Sequence, residues 1–159
     1  MKSLTSAVSA VICLAALLTS MPLFAQNARD DGSGLLYIIF DGSNSMWGEL
    51  ADKSRKITVA KDVFNRLDPA LFSNRKVALR LYGHRRSGDC SDTELAVPFA
   101  PADSAIGRIS RQVNGVKPVG KTPITRSLIA ALKDFKGRSG EILLISDGIE
   151  TCDADPCEL

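Results

Sequence analysis

The sequence predicts an α/β fold in which a doubly wound, mostly parallel sheet carries helices on both faces. Strand-like apolar runs alternate with segments whose apolar residues recur at helical spacing, which is typical of such sheets. Two of the runs, residues 35–40 and 142–145, are continuously apolar, as expected for strands covered on both sides. Small polar residues follow both runs directly, at the strand ends where ligands bind in these folds.

A strand, a helix and a second strand are predicted for the first half of the domain. Residues 35–40 form the first strand. Residues 56–67 predict a helix whose inward side chains are Ala60, Val63, Phe64 and Leu67. Asp68 and Pro69 end that helix, because the residue before proline avoids the helical conformation. Residues 76–82 alternate between two faces and predict the second strand.

An edge strand and a second helix are predicted next. Residues 94–99 form a short strand, and Pro98 places it at a sheet edge because proline donates no hydrogen bond to a ladder. Asp103 is the expected N-cap of the following helix. The inward residues of that helix are predicted to be Ile106, Ile109 and Val113.

The last predicted elements are a third helix and a final strand. Thr122 is expected to cap the helix, with Pro123 at its first position. Its apolar stripe is predicted to contain Ile124, Leu128, Ala131, Leu132 and Phe135. Residues 141–145 form the final strand, and its end coincides with another small polar segment.

The N-terminus has the features of a secretory signal peptide. Residues 7–19 form an apolar stretch that follows a short positive start and is too short to span a bilayer comfortably. Cleavage after Ala25 is expected, although a retained N-terminal anchor is the alternative. Residues 1–25 are therefore assigned to the signal peptide. The polar, glycine-rich residues 26–34 predict a linker, and residues 35–159 the folded domain.

Export predicts a periplasmic or secreted protein. No later apolar run is long enough to cross a membrane, so we expect no membrane span in the mature chain. The formal net charge of the whole sequence is only +2, and its basic clusters are small. No nucleic-acid partner is therefore expected.

Three cysteines follow the predicted cleavage point: Cys90, Cys152 and Cys157. An oxidising compartment favours a disulfide, either between Cys152 and Cys157 or between Cys90 and one of them. A zinc site is the alternative interpretation. It would have too few further ligands, because His84 is the single histidine of the chain.

Three segments carry oxygen-bearing side chains that predict one shared metal site. Asp41, Ser43 and Ser45 follow the first strand, Thr122 opens a helix, and Asp147 follows the last strand. Serines spaced by two in an extended loop point the same way, and the ends of parallel strands meet at one edge of a sheet. Ligands made only of oxygen suit Mg²⁺, Mn²⁺ or Ca²⁺.

These residues, in this order, resemble the metal-ion-dependent adhesion site (MIDAS) of the von Willebrand factor type A (vWA) domain. Asp41-x-Ser43-x-Ser45 is a short pattern, but Thr122 and Asp147 complete it in the expected strand and helix contexts. The similarity to bacterial, exported members of the family extends to three wider segments, residues 40–48, 82–85 and 146–152.

The resemblance covers residues 33–159 and implies a metal-dependent protein-binding module without catalytic activity. In that family the metal keeps one coordination position for an acidic residue of the ligand. The expected partner is therefore a protein that offers a carboxylate. The family pattern also continues with further strands and a helix, so we expect the last strands of the domain to be missing from this chain.

Two other functions stay open at this point. A metal-assisted hydrolase would use Asp41 and Asp147 to activate water, but it also needs a general base. The candidates are His84 and scattered carboxylates such as Asp89, Asp92 and Glu150. A haloacid-type phosphatase would need an aspartate where Ser43 stands. The third possibility is a truncated fragment without independent function, because an exposed apolar edge strand favours association.

Three further residues border the predicted site. Met46 and Trp47 follow the serine loop, where they contact a partner or pack into the core. His84 follows the second strand, and a structural hydrogen bond is its expected role, with a partner contact as the alternative.

Overall fold

A computed structural model describes residues 34–158 of the 159-residue chain. The predicted signal peptide, and all of the predicted linker except Gly34, lie outside this range. The described helices and strands are β1 (Leu35–Asp41), α1 (Lys56–Asn65), β2 (Lys76–Tyr82), β3 (Thr93–Pro101), α2 (Ala102–Gly115), α3 (Ile124–Phe135) and β4 (Glu141–Ile145). This order confirms the predicted α/β class. No helix within the described range is long and apolar enough to cross a bilayer.

The sheet has the strand order β3-β2-β1-β4. β1 lies between β2 and β4 and runs parallel to both, whereas β3 pairs antiparallel with β2 at the edge. The sheet is therefore mostly parallel, and Pro98 lies on an edge strand as predicted. In register, Asp41 pairs with Tyr82 and Phe40 with Ile145, so the carboxyl ends of the three parallel strands lie side by side.

Side chains of β1 alternate between two apolar layers, because successive residues of a strand point to opposite faces. On one face, α1 and α2 cover a layer that includes Leu36, Ile38, Phe40, Phe64 and Ile109. On the other face, α3 covers a layer that includes Leu35, Tyr37, Ile39, Ala131 and Phe135. Helices on both faces confirm the doubly wound arrangement.

Two of the side chains predicted to face inward are exposed instead. Val63 in α1 is 50 % exposed and Leu132 in α3 is 56 % exposed. At 3.6 residues per turn, Val63 lies roughly 120° around the helix from the buried Ile57. Leu132 follows the buried Ala131 by about 100°, which places it at the outer border of the apolar stripe.

Both predicted helix caps were also wrong. α2 begins at Ala102 and has Pro101 in the N-cap position, so Asp103 lies inside the first turn. α3 begins at Ile124 with Pro123 in the N-cap position, and that cap makes no side-chain hydrogen bond. Thr122 therefore precedes the cap. The buried turn that brings Thr122 towards β1 determines where α3 begins, and this tertiary contact overrides the local capping preference.

A buried polar network ties α3 to the sheet. The Arg80 guanidinium, on β2, donates to the Asp134 carboxylate at 2.6 Å, to the Tyr37 hydroxyl at 3.0 Å and to the Thr93 hydroxyl at 3.2 Å. Tyr37 also donates to Asp134. Burial and this hydrogen bond raise the pKa of Tyr37, so the hydroxyl stays protonated. Because Arg80 is only 7 % exposed, its guanidinium charge needs a counter-ion inside the protein, and the Asp134 carboxylate supplies it.

We expect Asp134→Ala to lower the free energy of unfolding by about 3 kcal/mol, because it leaves the buried Arg80 charge without a carboxylate. Urea denaturation is the measurement. The control is Asp62→Ala, which removes an exposed helical ion pair with Arg66 and should cost far less. Equal losses in the two variants would contradict this role of the network.

Candidate metal centre

The loop before α3 docks directly onto the end of β1. Gly120 forms an isolated parallel bridge with Ser43, and its carbonyl accepts a hydrogen bond from Asn44 N at 2.9 Å. Val119 N donates to the carbonyl of Gly42 at 3.0 Å. These backbone bonds bring Thr122, which is distant in sequence, to the same end of the sheet as the serine loop.

Two glycines permit this close approach. A Cβ on Gly42 would lie 2.6 Å from Cβ of His84 and 2.9 Å from the carbonyl oxygen of Tyr82. Gly83 has a φ of +63°, and a Cβ there would lie 2.3 Å from the carbonyl oxygen of Lys121. A larger residue at either position would separate the loops that form the site.

The predicted oxygen ligands form a connected cluster. Ser43 Oγ and Ser45 Oγ lie 2.9 Å apart, and Ser45 Oγ donates to Asp147 Oδ1 at 3.1 Å. On the other side, Ser146 Oγ donates to Asp41 Oδ2 at 2.6 Å. The two carboxylates are thus linked both through the serine loop and through the residue next to Asp147.

Thr122 borders the same small space. Thr122 and Asp41 both lie close to Gly148. A Cβ placed on Gly148 would be 3.2 Å from Cγ2 of Thr122 and 3.6 Å from Oδ2 of Asp41. Thr122 is held by its backbone: its N–H donates to Thr151 Oγ1 at 2.8 Å, and its carbonyl accepts from Thr151 N at 3.2 Å. The structure therefore joins Asp41, Ser43, Ser45 and Asp147 in one hydrogen-bonded cluster and places the side chain of Thr122 close to it.

Asp41 is a fully buried carboxylate. Its relative exposure is 0 %, and its oxygens accept hydrogen bonds from Ser43 N at 2.7 Å and from Ser146 Oγ. Among the described residues, no lysine, arginine or histidine forms an ion pair with it. A buried charge without a counter-ion is costly in free energy. This position would accommodate a cation favourably.

Asp147 differs from Asp41 because it has a cationic neighbour. Lys56 Nζ, at the start of α1, lies 2.5 Å from Asp147 Oδ2, and the Asp147 side chain is 12 % exposed. One carboxylate of the cluster is therefore balanced by an ammonium group of the protein, and the other is not.

A disulfide between Cys90 and Cys152 connects the segment after β4 to the loop after β2, with a sequence separation of 62 residues. This is one of the pairings left open by the sequence, and Cys157 is an exposed free thiol. The disulfide also removes two thiolates that the zinc alternative would need. Because Cys152 directly follows Thr151, the disulfide supports the segment that holds Thr122.

The loop that carries Cys90 is organised by the buried Asp92. Its carboxylate accepts from Arg85 N at 2.8 Å, from Arg86 N at 3.0 Å and from Arg85 Nε at 2.8 Å. Burial alone would raise the pKa of Asp92, but these donors and the Arg85 charge outweigh it and hold the pKa below its usual value. Asp92 is therefore committed to this loop and is not positioned as a general base.

The bordering residues have different environments. Met46 is 1 % exposed and belongs to the core, whereas Trp47 is 41 % exposed and donates from its indole nitrogen to Pro118 O at 2.8 Å. His84 Nε2 lies 3.3 Å from Glu94 Oε2, which fits the expected structural role. Burial lowers the pKa of His84, against the charges of Asp92 and Glu94, so the imidazole is neutral at pH 7.

The donor set fits a hard divalent cation. It offers two carboxylates and three hydroxyls, and oxygen donors of this kind suit Mg²⁺, Mn²⁺ and Ca²⁺. An ammonium group already lies on one of the carboxylates, which shows that the cluster attracts positive charge. No group of three or more histidine, cysteine, aspartate or glutamate side chains forms such a site within residues 34–158, so hydroxyls would have to complete it.

Several residues of the site were missed by the sequence interpretation. Ser146 contacts Asp41, and it accepts a hydrogen bond from the Tyr82 hydroxyl at 3.1 Å. Burial and the Asp41 charge raise the pKa of Tyr82, so this hydroxyl stays a donor. The position of Ser146 directly before Asp147 was the feature of the sequence that could have indicated its place in the site. Lys56 gave no signal, since only the folded loop brings it to the site.

Comparisons with known proteins agree with this architecture. The chain is 30 % identical, over an alignment of 167 positions, to the uncharacterized protein YwmD of Bacillus subtilis (strain 168), and the match covers 98 % of this chain and 71 % of YwmD. The sequence matches no model of a known protein family.

A solved structure shares the fold. The vWF domain of the type V pili tip protein Mfa5 from Porphyromonas gingivalis superposes with a TM-score of 0.55 at 16 % sequence identity. The similarity covers 75 % of this chain but only 39 % of the Mfa5 chain. On this evidence the chain belongs to the same family as YwmD, and its fold is that of a vWF-type domain.

Proposed function

We propose that this protein is a metal-dependent protein-binding module. Asp41, Ser43, Ser45, Thr122 and Asp147 would hold a divalent cation, Mg²⁺ or alternatively Mn²⁺ or Ca²⁺. The bound cation supplies a Lewis-acidic position that accepts a carboxylate from a partner protein. The five side chains would hold the cation through their carboxylate and hydroxyl oxygens.

The observation that carries this proposal is the buried carboxylate of Asp41. Its oxygens face hydroxyl and amide groups, and no cationic side chain of the described region balances its charge. Proteins rarely maintain such a group unless it has a function or a bound ion. A divalent cation between Asp41 and Asp147 would provide the missing charge.

The number of oxygen ligands that the ion requires explains why it would bind another carboxylate. Two aspartates neutralise a divalent cation formally, while the serine and threonine hydroxyls are neutral donors. Mg²⁺ requires about six oxygen ligands at ~2.0–2.1 Å, so water or an incoming carboxylate would complete its shell. Ser45 is an exposed member of the cluster, and the site is therefore reached from the solvent.

Two further observations support a role outside the cytoplasm. The Cys90–Cys152 disulfide is typical of oxidising compartments, in agreement with the predicted signal peptide. The protein that shares the fold is named as a type V pili tip protein. Export to the periplasm or the cell exterior, and binding of an acidic protein surface there, are therefore parts of the proposal.

The metal dependence is tested by thermal unfolding with Mg²⁺ and with chelator. A ligand present at about 100 times its Kd stabilises the folded state by ~2.7 kcal/mol, which corresponds to a rise in Tm of roughly 10 °C for a domain of this size. Asp41→Asn and Asp147→Asn should lose this response.

The matched control is Asp103→Asn, since Asp103 is an exposed aspartate in the first turn of α2. It should respond to Mg²⁺ as the wild type does. In chelator, Asp41→Asn should stay folded, because it removes a buried charge and its amide oxygen can still accept the hydrogen bond from Ser43 N. The proposal would be refuted by a wild-type Tm that does not change when Mg²⁺, Mn²⁺ or Ca²⁺ is added.

We expect no hydrolysis of phosphoesters in the presence of Mg²⁺. Ser43 stands where a haloacid-type phosphatase needs an aspartate. Of the candidate bases, His84 contacts Glu94 and Asp92 forms an ion pair with Arg85. A panel of chromogenic phosphoesters is the assay. Turnover that disappears in Asp41→Asn would instead support the hydrolase alternative.

A further inference from the structure

Lys56 reaches the cluster from a different part of the chain. It is the first residue of α1, and its ammonium group contacts Asp147 across 91 positions of sequence. The Lys56 side chain is 32 % exposed and that of Asp147 is 12 % exposed. The contact therefore lies at the solvent side of the site, where an ion and a partner would have to enter.

The local backbone guides this side chain towards the site. Lys56 N donates to Gly48 O at 3.0 Å, and an isolated antiparallel bridge joins Glu49 to Arg55. The Lys56 stem passes over Gly48, where a Cβ would lie 3.3 Å from Lys56 Cε. Gly48 directly follows the short helix Asn44–Trp47, which carries Ser45. The lysine is thus held by the same loop that supplies the serine ligands.

The ammonium group binds an oxygen of a proposed metal ligand. A divalent cation at Asp147 would therefore have to displace it or share the carboxylate with it. Without Lys56, the metal-free cluster would carry two uncompensated carboxylates, and their mutual repulsion would strengthen metal binding. With Lys56, part of that repulsion is already removed before a metal arrives.

We propose that Lys56 is a tethered cation that competes with the divalent metal for Asp147 and thereby weakens the metal affinity of the site. This inference rests on the proposed function, because it concerns the same cluster. Lys56 tunes the affinity of the site: it balances the charge of Asp147 in the metal-free protein, and it allows occupancy to follow the concentration of divalent cation.

The test compares Mg²⁺ binding by isothermal titration calorimetry for the purified wild type and three variants. Lys56→Met keeps the stem that packs over Gly48 and removes the charge. Lys56→Arg keeps the charge. Lys136→Met, at the opposite end of α3, removes one exposed lysine charge away from the site.

We expect Lys56→Met to bind Mg²⁺ about fivefold more tightly, which is the upper end of the scale for a partly exposed ion pair. Lys56→Arg and Lys136→Met should stay within about twofold of the wild type. In chelator, Lys56→Met should have a lower Tm, and its Mg²⁺-induced rise in Tm should be larger.

A Lys56→Met protein that binds Mg²⁺ with the wild-type Kd, or more weakly, would overturn the inference while leaving the metal site intact. If Lys56→Met binds Mg²⁺ and the wild type does not, the result would support the inference about Lys56. It would contradict the proposed function, in which the native protein itself binds the metal. If neither protein binds a divalent cation, both proposals are overturned.

Discussion

The central position of β1 is the constraint on which the site depends. β1 is paired in parallel on both sides and covered by helices on both faces, so its end lies inside the protein. The carboxylate of Asp41, placed there, is fully buried. The parallel pairing with β4 also places Asp147 beside it, and the docked Gly120 segment adds Thr122. The chemistry of the site follows from this topology.

Such a site costs folding free energy unless it is balanced. Hydrogen bonds from Ser43 N and Ser146 Oγ partly offset the burial of Asp41, and Lys56 offsets the charge of Asp147. The disulfide Cys90–Cys152 and the carboxylate of Asp92 hold the surrounding loops in place. The contacts around the cluster thus offset part of the folding free energy that the buried charges of the cluster cost. Local costs of this kind, offset elsewhere in the fold, are expected at functional sites.

The strands were predictable because their apolar runs and the position of Pro98 report directly on burial and edges. Of the five residues predicted as metal ligands, Asp41, Ser43, Ser45 and Asp147 were predictable as neighbours because the ends of parallel strands meet, whereas Thr122 was placed with them by the family resemblance. Other features depend on tertiary contacts that leave little trace in sequence. Thr122 is not a helix cap, since its segment is bound to Thr151 and to β1. Lys56 reaches the site only through the folded loop, and spacing alone did not decide how the cysteines pair.

The central claim is that loops distant in sequence hold one divalent cation whose open side receives a carboxylate. A crystal structure of the protein grown with Mg²⁺ tests it most directly. The account predicts one ion bound among Asp41, Ser43, Ser45, Thr122 and Asp147, with ligand distances of ~2.0–2.1 Å and a remaining position filled by water or a carboxylate. The same five side chains without an ion between them, at saturating Mg²⁺, would contradict it.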